Sequence, residues 1–556
     1  MVTHHRFSNE LLSKKSGFIS PLKATVQTAF YGNNVREIES MEEVYHLVSA
    51  APNAVLLHQK VAHAKELGLP EDARVILTND GAVVGRTAKA RRILGQKPEE
   101  DAKLLPIVRE AVYQSSFFPF LKACAVVGLD EDFMVRAHIT MPEHEVANLY
   151  SWLLNFQFLN DAYYKRLQES VPYDENDIYI FFDPTWSHPD YPDGLAYFDT
   201  KHNCAAILGM NYFGEIKKGT LTMAWGTAAR NNYAACHGGL KEFKTKDKAL
   251  VASFFGLSGS GKSTLTHAKH NGKYDVKVLH DDAFIISMEN GSSVALEPSY
   301  FDKTNDYPVG HPEQEYFVTV QNCGVALNEN LERVLVTEDI RNGNGRTVKS
   351  RYSTPNRVDK VEEPIDAIFW IMKDDALPPL IKIKDPVLAT TFGCTLATKR
   401  STAENTTESR DSLVIEPYAN PFRVYPLVDD FTNFQKLFES GVDCYIVNTG
   451  AYLGKDVTKE ATLALIEGVV DGTADFKPFG PLVGFEYADI EGYEVPDFDD
   501  AYLYLLRDRL QFRLDFLLQF NQDNPSQPLP VEAIKHVQEL VNLLPKNEAS
   551  EADSEG

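Results

Sequence analysis

The stretch Ala249-Leu-Val-Ala-Ser-Phe-Phe-Gly256-Leu-Ser-Gly-Ser-Gly-Lys262-Ser263-Thr-Leu265 decides the fold. An apolar run of strand length, Leu250–Phe255, enters a glycine-rich turn and then a segment of helical character. Residues 256–263 satisfy G-x-x-x-x-G-K-[ST] in full, in the strand, loop and helix order that a phosphate loop requires. Glycines let the backbone wrap an anion so that its N–H groups face the phosphates. The candidate nucleotide residues are therefore Gly256, Leu257, Ser258, Gly259, Ser260, Gly261, Lys262, Ser263 and Thr264. Lys262 is expected at the β- and γ-phosphates and the Ser263 hydroxyl on Mg²⁺.

Such a loop needs a downstream carboxylate for the metal. The β-rich run Val276-Lys-Val-Leu-His280 ends in Asp281-Asp282, and strand alternation sends those two side chains to opposite sides. One can then serve the metal while the other supports it.

Outward from this centre, the chain changes character near residue 245, where the basic segment 241–248 gives way to the apolar strand. We expect an N-terminal substrate domain over 1–245, a C-terminal nucleotide and metal domain over 246–545, and a disordered acidic tail over 546–556. Helical segments are expected within 141–168 and from Val531 to Leu544, a strand over Asp177–Phe182, and loops at 306–316 and 400–412. The 556 residues carry 55 Lys+Arg against 79 Asp+Glu, a net charge of −24 that disfavours nucleic-acid binding. No membrane-length apolar run and no secretory signal core is present, so a soluble cytoplasmic protein is expected. The six scattered cysteines form no CxxC pair and are read as reduced thiols. Oligomeric state is left open.

The loop and its aspartate pair resemble the ATP-dependent phosphoenolpyruvate carboxykinases, whose loop reads G-L-S-G-T-G-K-T-T-L and whose second motif begins G-D-D. Neighbouring segments strengthen the resemblance in family order. Tyr212-Phe-Gly-Glu-Ile-Lys217-Lys218-Gly219 is similar to Y-G-G-E-M-K-K-G, and His237 lies nineteen residues beyond Lys218, at the family spacing. Gly85-Arg86-Thr-Ala-Lys89 resembles G-R-S-P-K, Glu297-Pro-Ser-Tyr-Phe-Asp-Lys303-Thr resembles E-G-G-C-Y-A-K-T, and Asn344-Gly-Arg346-Thr resembles E-N-T-R. Arg341 also fits that last spacing, and Arg346 is preferred for its neighbours. Asp374–Pro379, Pro417–Phe422 and Val447-Asn-Thr-Gly450 are similar to further family segments. Departures include Gly238-Gly239 after His237, His280-Asp-Asp-Ala-Phe for the second motif, and Lys455 and Ala461 at positions of the adenine segment.

The resemblance implies a two-lobed α/β fold with a phosphate-loop C-terminal domain. It implies conversion of oxaloacetate and ATP to phosphoenolpyruvate, CO₂ and ADP, the metals being Mg²⁺ and Mn²⁺. It assigns Mn²⁺ to Lys218, His237 and an aspartate, Asp282 before Asp281, with Lys218 unprotonated beside the cation. Arg86 would grip a substrate carboxylate, Arg346 would contact substrate and γ-phosphate, Tyr212 would meet the substrate or departing CO₂, and Glu297 and Lys303 would line the nucleotide site. Two other readings fit the same loop: a kinase for a different carboxylate or hydroxyl substrate, and a nucleotide-binding protein without turnover.

Overall fold

The computed structural model describes residues 19–78, 88–245, 248–257, 259–337, 345–399 and 413–546. Arg86, Ser258, Arg341, the expected loop 400–412 and nearly all of the expected tail lie outside these residues. The architecture is mixed α/β with several sheets. Among the described residues no helix is long and apolar enough to cross a membrane.

The chain divides into two compact units, Met1–Asn231 with Val294–Asp359 and Asn232–Ser293 with Lys360–Gly556. The single boundary expected near residue 245 is thus replaced by three crossings, and residues 294–359 group with the N-terminal part instead of the C-terminal one. Strand pairing is the reason. Phe317–Gln321 pairs in parallel with Arg74–Thr78, and Tyr300–Lys303 and Arg346–Lys349 complete a five-stranded sheet with Ala54–Lys60.

The first unit also holds an eight-stranded sheet that includes Phe120–Asp130, Phe133–Pro142, Ile178–Asp183 and Cys204–Leu208. The expected strand 177–182 is displaced by one residue, and the helical stretch 141–168 resolves into Val146–Asn155 and Asp161–Glu169. Helix Phe213–Arg230 is buried along most of its length, which its glycines, alanines and threonines permit.

In the second unit an eight-stranded sheet places Ala249–Phe255 beside Ala367–Met372, and that strand beside Asp443–Asn448, all three parallel. Parallel strands covered on both faces are apolar throughout, as these are. Phe254, Phe369 and Tyr445 stack across them with ring centroids 5.1 and 4.9 Å apart. Strand Asp275–His280 lies at one edge, and the terminal helix forms as expected over Val531–Asn542. The 306–316 region is not wholly irregular, since Pro312–Tyr316 turns as a 3₁₀ helix.

Candidate active site

In the second unit the glycine loop joins Ala249–Phe255 to the short helix Lys262–His267. Gly259 and Gly261 have φ of +78° and +99°, backbone that side chains with a Cβ rarely adopt. Leu257 is buried as the loop's apolar anchor, whereas Ser263 and Thr264 are exposed at the helix start. The Lys262 ammonium lies 3.7 Å from the Asp282 carboxylate.

The two adjacent aspartates diverge, as alternation required. Asp282 faces His237, with Oδ1 2.9 Å from Nε2. Asp281 turns to His267, 3.3 Å away. Although burial opposes its ionisation, the His267 imidazole holds the Asp281 carboxyl well below the usual carboxylate range.

His237 ends strand Tyr233–His237, which pairs antiparallel with Ala283–Ser287, so the imidazole sits across from the residue after Asp282. The Gly238 N–H donates to the Asp282 carbonyl at 3.2 Å, locking the two segments together. The Gly238-Gly239 departure has a packing reason: a Cβ on Gly239 would stand 1.9 Å from the Thr266 hydroxyl. The Nδ1–H of His237 donates to the Ala419 carbonyl at 2.5 Å, which aims Nε2 at Asp282. An imidazole fixed from behind, with a carboxylate oxygen at its other nitrogen, suits a transition ion that takes nitrogen and oxygen ligands. Among the described residues no three His, Cys, Asp or Glu side chains group around one point. The third expected ligand, Lys218, is a lysine and belongs to the other unit.

In the first unit Tyr212 precedes helix Phe213–Arg230 and Arg346 opens strand Arg346–Lys349. Burial pushes the Tyr212 phenol up, and the Arg346 guanidinium, hydrogen-bonded to it, pulls the other way. Lys303 stands directly across from Arg346 in the antiparallel pair. Tyr212 thus meets Arg346, with Lys303 at the facing register position. Lys218 lies on the first turns of the helix, its ammonium 5.9 Å from the Trp225 ring centroid.

Glu297, expected at the nucleotide site, is held from the protein side. It is fully buried, with Oε1 3.0 Å from the ammonium of Lys217, itself fully buried. Its Oε2 accepts from the Asn155 amide at 2.5 Å. That carboxylate is a buried counter-ion of Lys217.

Four residues outside the expected set belong to this region. His267 occupies Asp281, Ala419 fixes His237, and Lys373 and Thr449 contact the glycine loop. His267 follows Ser263 by four residues on one helical turn, a spacing visible in the sequence. Thr449 sits inside the quoted V-N-T-G segment. Ala419 sits inside the quoted Pro417–Phe422 segment, and nothing local marks Lys373.

Comparison with known proteins agrees with the geometry. A family model described as phosphoenolpyruvate carboxykinase matches residues 47–488. Among similar proteins, an ATP-dependent phosphoenolpyruvate carboxykinase of Campylobacter jejuni subsp. doylei is 24% identical over 488 residues, covering 82% of this chain and 89% of that protein. One of Aeropyrum pernix is 24% identical over 353 residues, covering 58% of this chain and 70% of its own. The glycosomal enzyme of Trypanosoma brucei brucei is 26% identical over 285 residues, covering 49% and 54% respectively. With the model spanning the glycine loop, both aspartates, His237 and the Tyr212–Lys218 segment, the chain belongs to the phosphoenolpyruvate carboxykinase family.

Proposed function

We propose that this protein decarboxylates oxaloacetate and transfers the γ-phosphoryl group of ATP to the resulting enolate, giving phosphoenolpyruvate, CO₂ and ADP. The observation that carries the reading is the group Lys262, Asp282 and His237, gathered within 2.9 and 3.7 Å contacts beside a glycine loop with two positive-φ glycines. Family membership supplies the reaction class.

Cleavage of the C–C bond releases CO₂ and leaves the electron pair on an enolate. The enolate oxygen then bonds to the γ-phosphorus as the P–O bond to ADP breaks. Lys262 and the loop N–H groups would follow charge onto the phosphates. Arg346, already bonded to Tyr212, would hold a substrate carboxylate and neutralise charge as it moves. Arg86 would supply a second carboxylate grip, and Lys303 would add to the positive field opposite Arg346. His237, Asp282 and Lys218 are the residues that would hold Mn²⁺, and Ser263 with Asp281 would serve Mg²⁺ on the nucleotide. When bound, such cations stabilise negative charge on enolate and phosphate oxygens.

The decisive assay incubates purified protein with oxaloacetate, ATP and Mn²⁺ and follows phosphoenolpyruvate. Product formation is the expected result. ATP binding with a different acceptor, or binding without turnover, would replace the proposal. For the metal assignment, Mn²⁺ titrated by its paramagnetic signal should bind His237→Ala more weakly than the wild type. Equal affinity would make His237 structural.

A further inference from the structure

Two side chains from neighbouring loops grip the outer edge of the glycine loop. The Lys373 ammonium donates to the Gly259 carbonyl at 2.8 Å. The Thr449 hydroxyl donates to the Ser260 carbonyl at 2.7 Å. Lys373 follows strand Ala367–Met372 and Thr449 follows Asp443–Asn448, the two strands that extend the sheet in parallel from Ala249–Phe255. Because the three strands run the same way, their C-terminal loops lie together at one edge.

The gripping residues are themselves held. The Thr449 N–H donates to the Met372 carbonyl at 3.0 Å, and the Lys373 N–H to the Thr398 hydroxyl at 3.1 Å. The buried Asn448 amide bridges to the Asp374 and Leu377 carbonyls at 2.8 and 2.6 Å, tying one loop to the other. Gly450 lies so close that a Cβ there would stand 3.0 Å from that of Lys373.

Peptide geometry turns this grip into a statement about the loop's inner face. No cis peptide occurs among the described residues, so each N–H points opposite to the carbonyl of its own peptide. Thr449, by holding the Ser260 carbonyl, turns the Gly261 N–H away from Thr449. Lys373, by holding the Gly259 carbonyl, keeps the Ser260 N–H on the other side, where it donates to Leu257 at 3.0 Å and closes the turn. The Ser260 hydroxyl is buried without a hydrogen-bond partner among the described residues, a donor left over inside the loop.

We propose that Lys373 and Thr449 are positioning residues for the nucleotide triphosphate, Thr449 setting the peptide plane that presents the Gly261 N–H to an anion and Lys373 holding the turn closed behind it. The inference rests on the reading of this loop as the ATP site. A preset loop pays its ordering entropy during folding, so the lock acts on nucleotide affinity. It leaves the affinity for oxaloacetate and the rate at saturating ATP largely alone.

The test compares Thr449→Val, Thr449→Ser and Lys373→Met with the wild type, using calorimetric titration of ATP and ADP together with steady-state kinetics. Thr449→Val should weaken ATP binding about tenfold, as expected for a carbonyl that loses its donor. Thr449→Ser, which keeps the hydroxyl, should restore it. Lys373→Met should weaken ATP binding severalfold, with KM for ATP rising and KM for oxaloacetate unchanged. If wild-type protein fails to bind ATP, the site reading itself falls. If it binds ATP and both Thr449→Val and Lys373→Met stay within twofold of it, the positioning role is overturned. An equal rise in KM for oxaloacetate would also overturn it, by showing a general packing defect.

Discussion

Replacing Glu297 by alanine separates a buried counter-ion from a nucleotide contact. Lys217 and Glu297 are both fully buried and 3.0 Å apart, and the remaining company of the ammonium includes the Phe301 ring centroid at 5.7 Å. Removing the carboxylate takes away the counter-charge 3.0 Å from that cation, which costs about 3–5 kcal/mol when a buried pair is broken from one side. At roughly 2–4 °C per kcal/mol for a unit of a few hundred residues, the melting temperature should fall by about 6–20 °C. Replacing both partners, Lys217→Met with Glu297→Met, removes both buried charges and should recover most of the loss. Scanning calorimetry of wild type, both single variants and the double variant gives the coupling, and ATP titration of the double variant gives the functional arm. The double variant should bind ATP as the wild type does. A Glu297→Ala protein that melts within 2 °C of wild type while losing ATP affinity would refute the counter-ion assignment.

Three further outcomes follow from particular contacts. Lys262→Ala should lower turnover on the order of 10²–10³-fold, measured as phosphoenolpyruvate formed, while melting temperature moves little, because its contact with Asp282 is a loose 3.7 Å. Ala419 holds φ of +52°, so Ala419→Gly should raise unfolding free energy by about 0.5–1 kcal/mol in urea denaturation; a fall would show that the turn is unstrained. Lys241 is fully buried against the Leu265 and Ala268 carbonyls and His270, and burial, opposed by Glu467, pushes its amine down to about 7. The unfolded chain then binds more protons than the fold above that pH, so stability should rise from pH 7 toward 10 with a slope of at most ~1.4 kcal/mol per unit. Lys241→Met should flatten this rise in denaturation curves taken across the range.

What the sequence disclosed was whatever is carried by neighbours along the chain. The apolar strand, the glycine turn with Lys262, and the opposite facing of Asp281 and Asp282 all depend on local periodicity, and each appears where spacing put it. The partners of Glu297 were not legible, because Lys217 and Asn155 lie far away in sequence and no local pattern names them. The boundary near 245 failed for the same reason: Phe317–Gln321 chooses a partner strand more than two hundred residues earlier. Ala419 acts through its backbone carbonyl, which every residue possesses, and Lys373 grips the carbonyl of Gly259 more than a hundred residues away, so neither contact leaves a local mark.

The interleaving of the two units has a consequence for synthesis on the ribosome. When Asn231 has emerged, the first unit still lacks three of the five strands in one of its sheets, and those arrive only between residues 300 and 349. At about 5–20 residues per second, the nascent chain waits on the order of ten seconds with Arg74–Thr78 missing its parallel neighbour. During that interval the exposed strand edge is a natural client for holding chaperones, and a translational pause placed before residue 300 would lengthen the exposure. Truncation at the first crossing should accordingly yield an aggregating fragment, while ending the chain after Asp359 supplies every strand of that sheet.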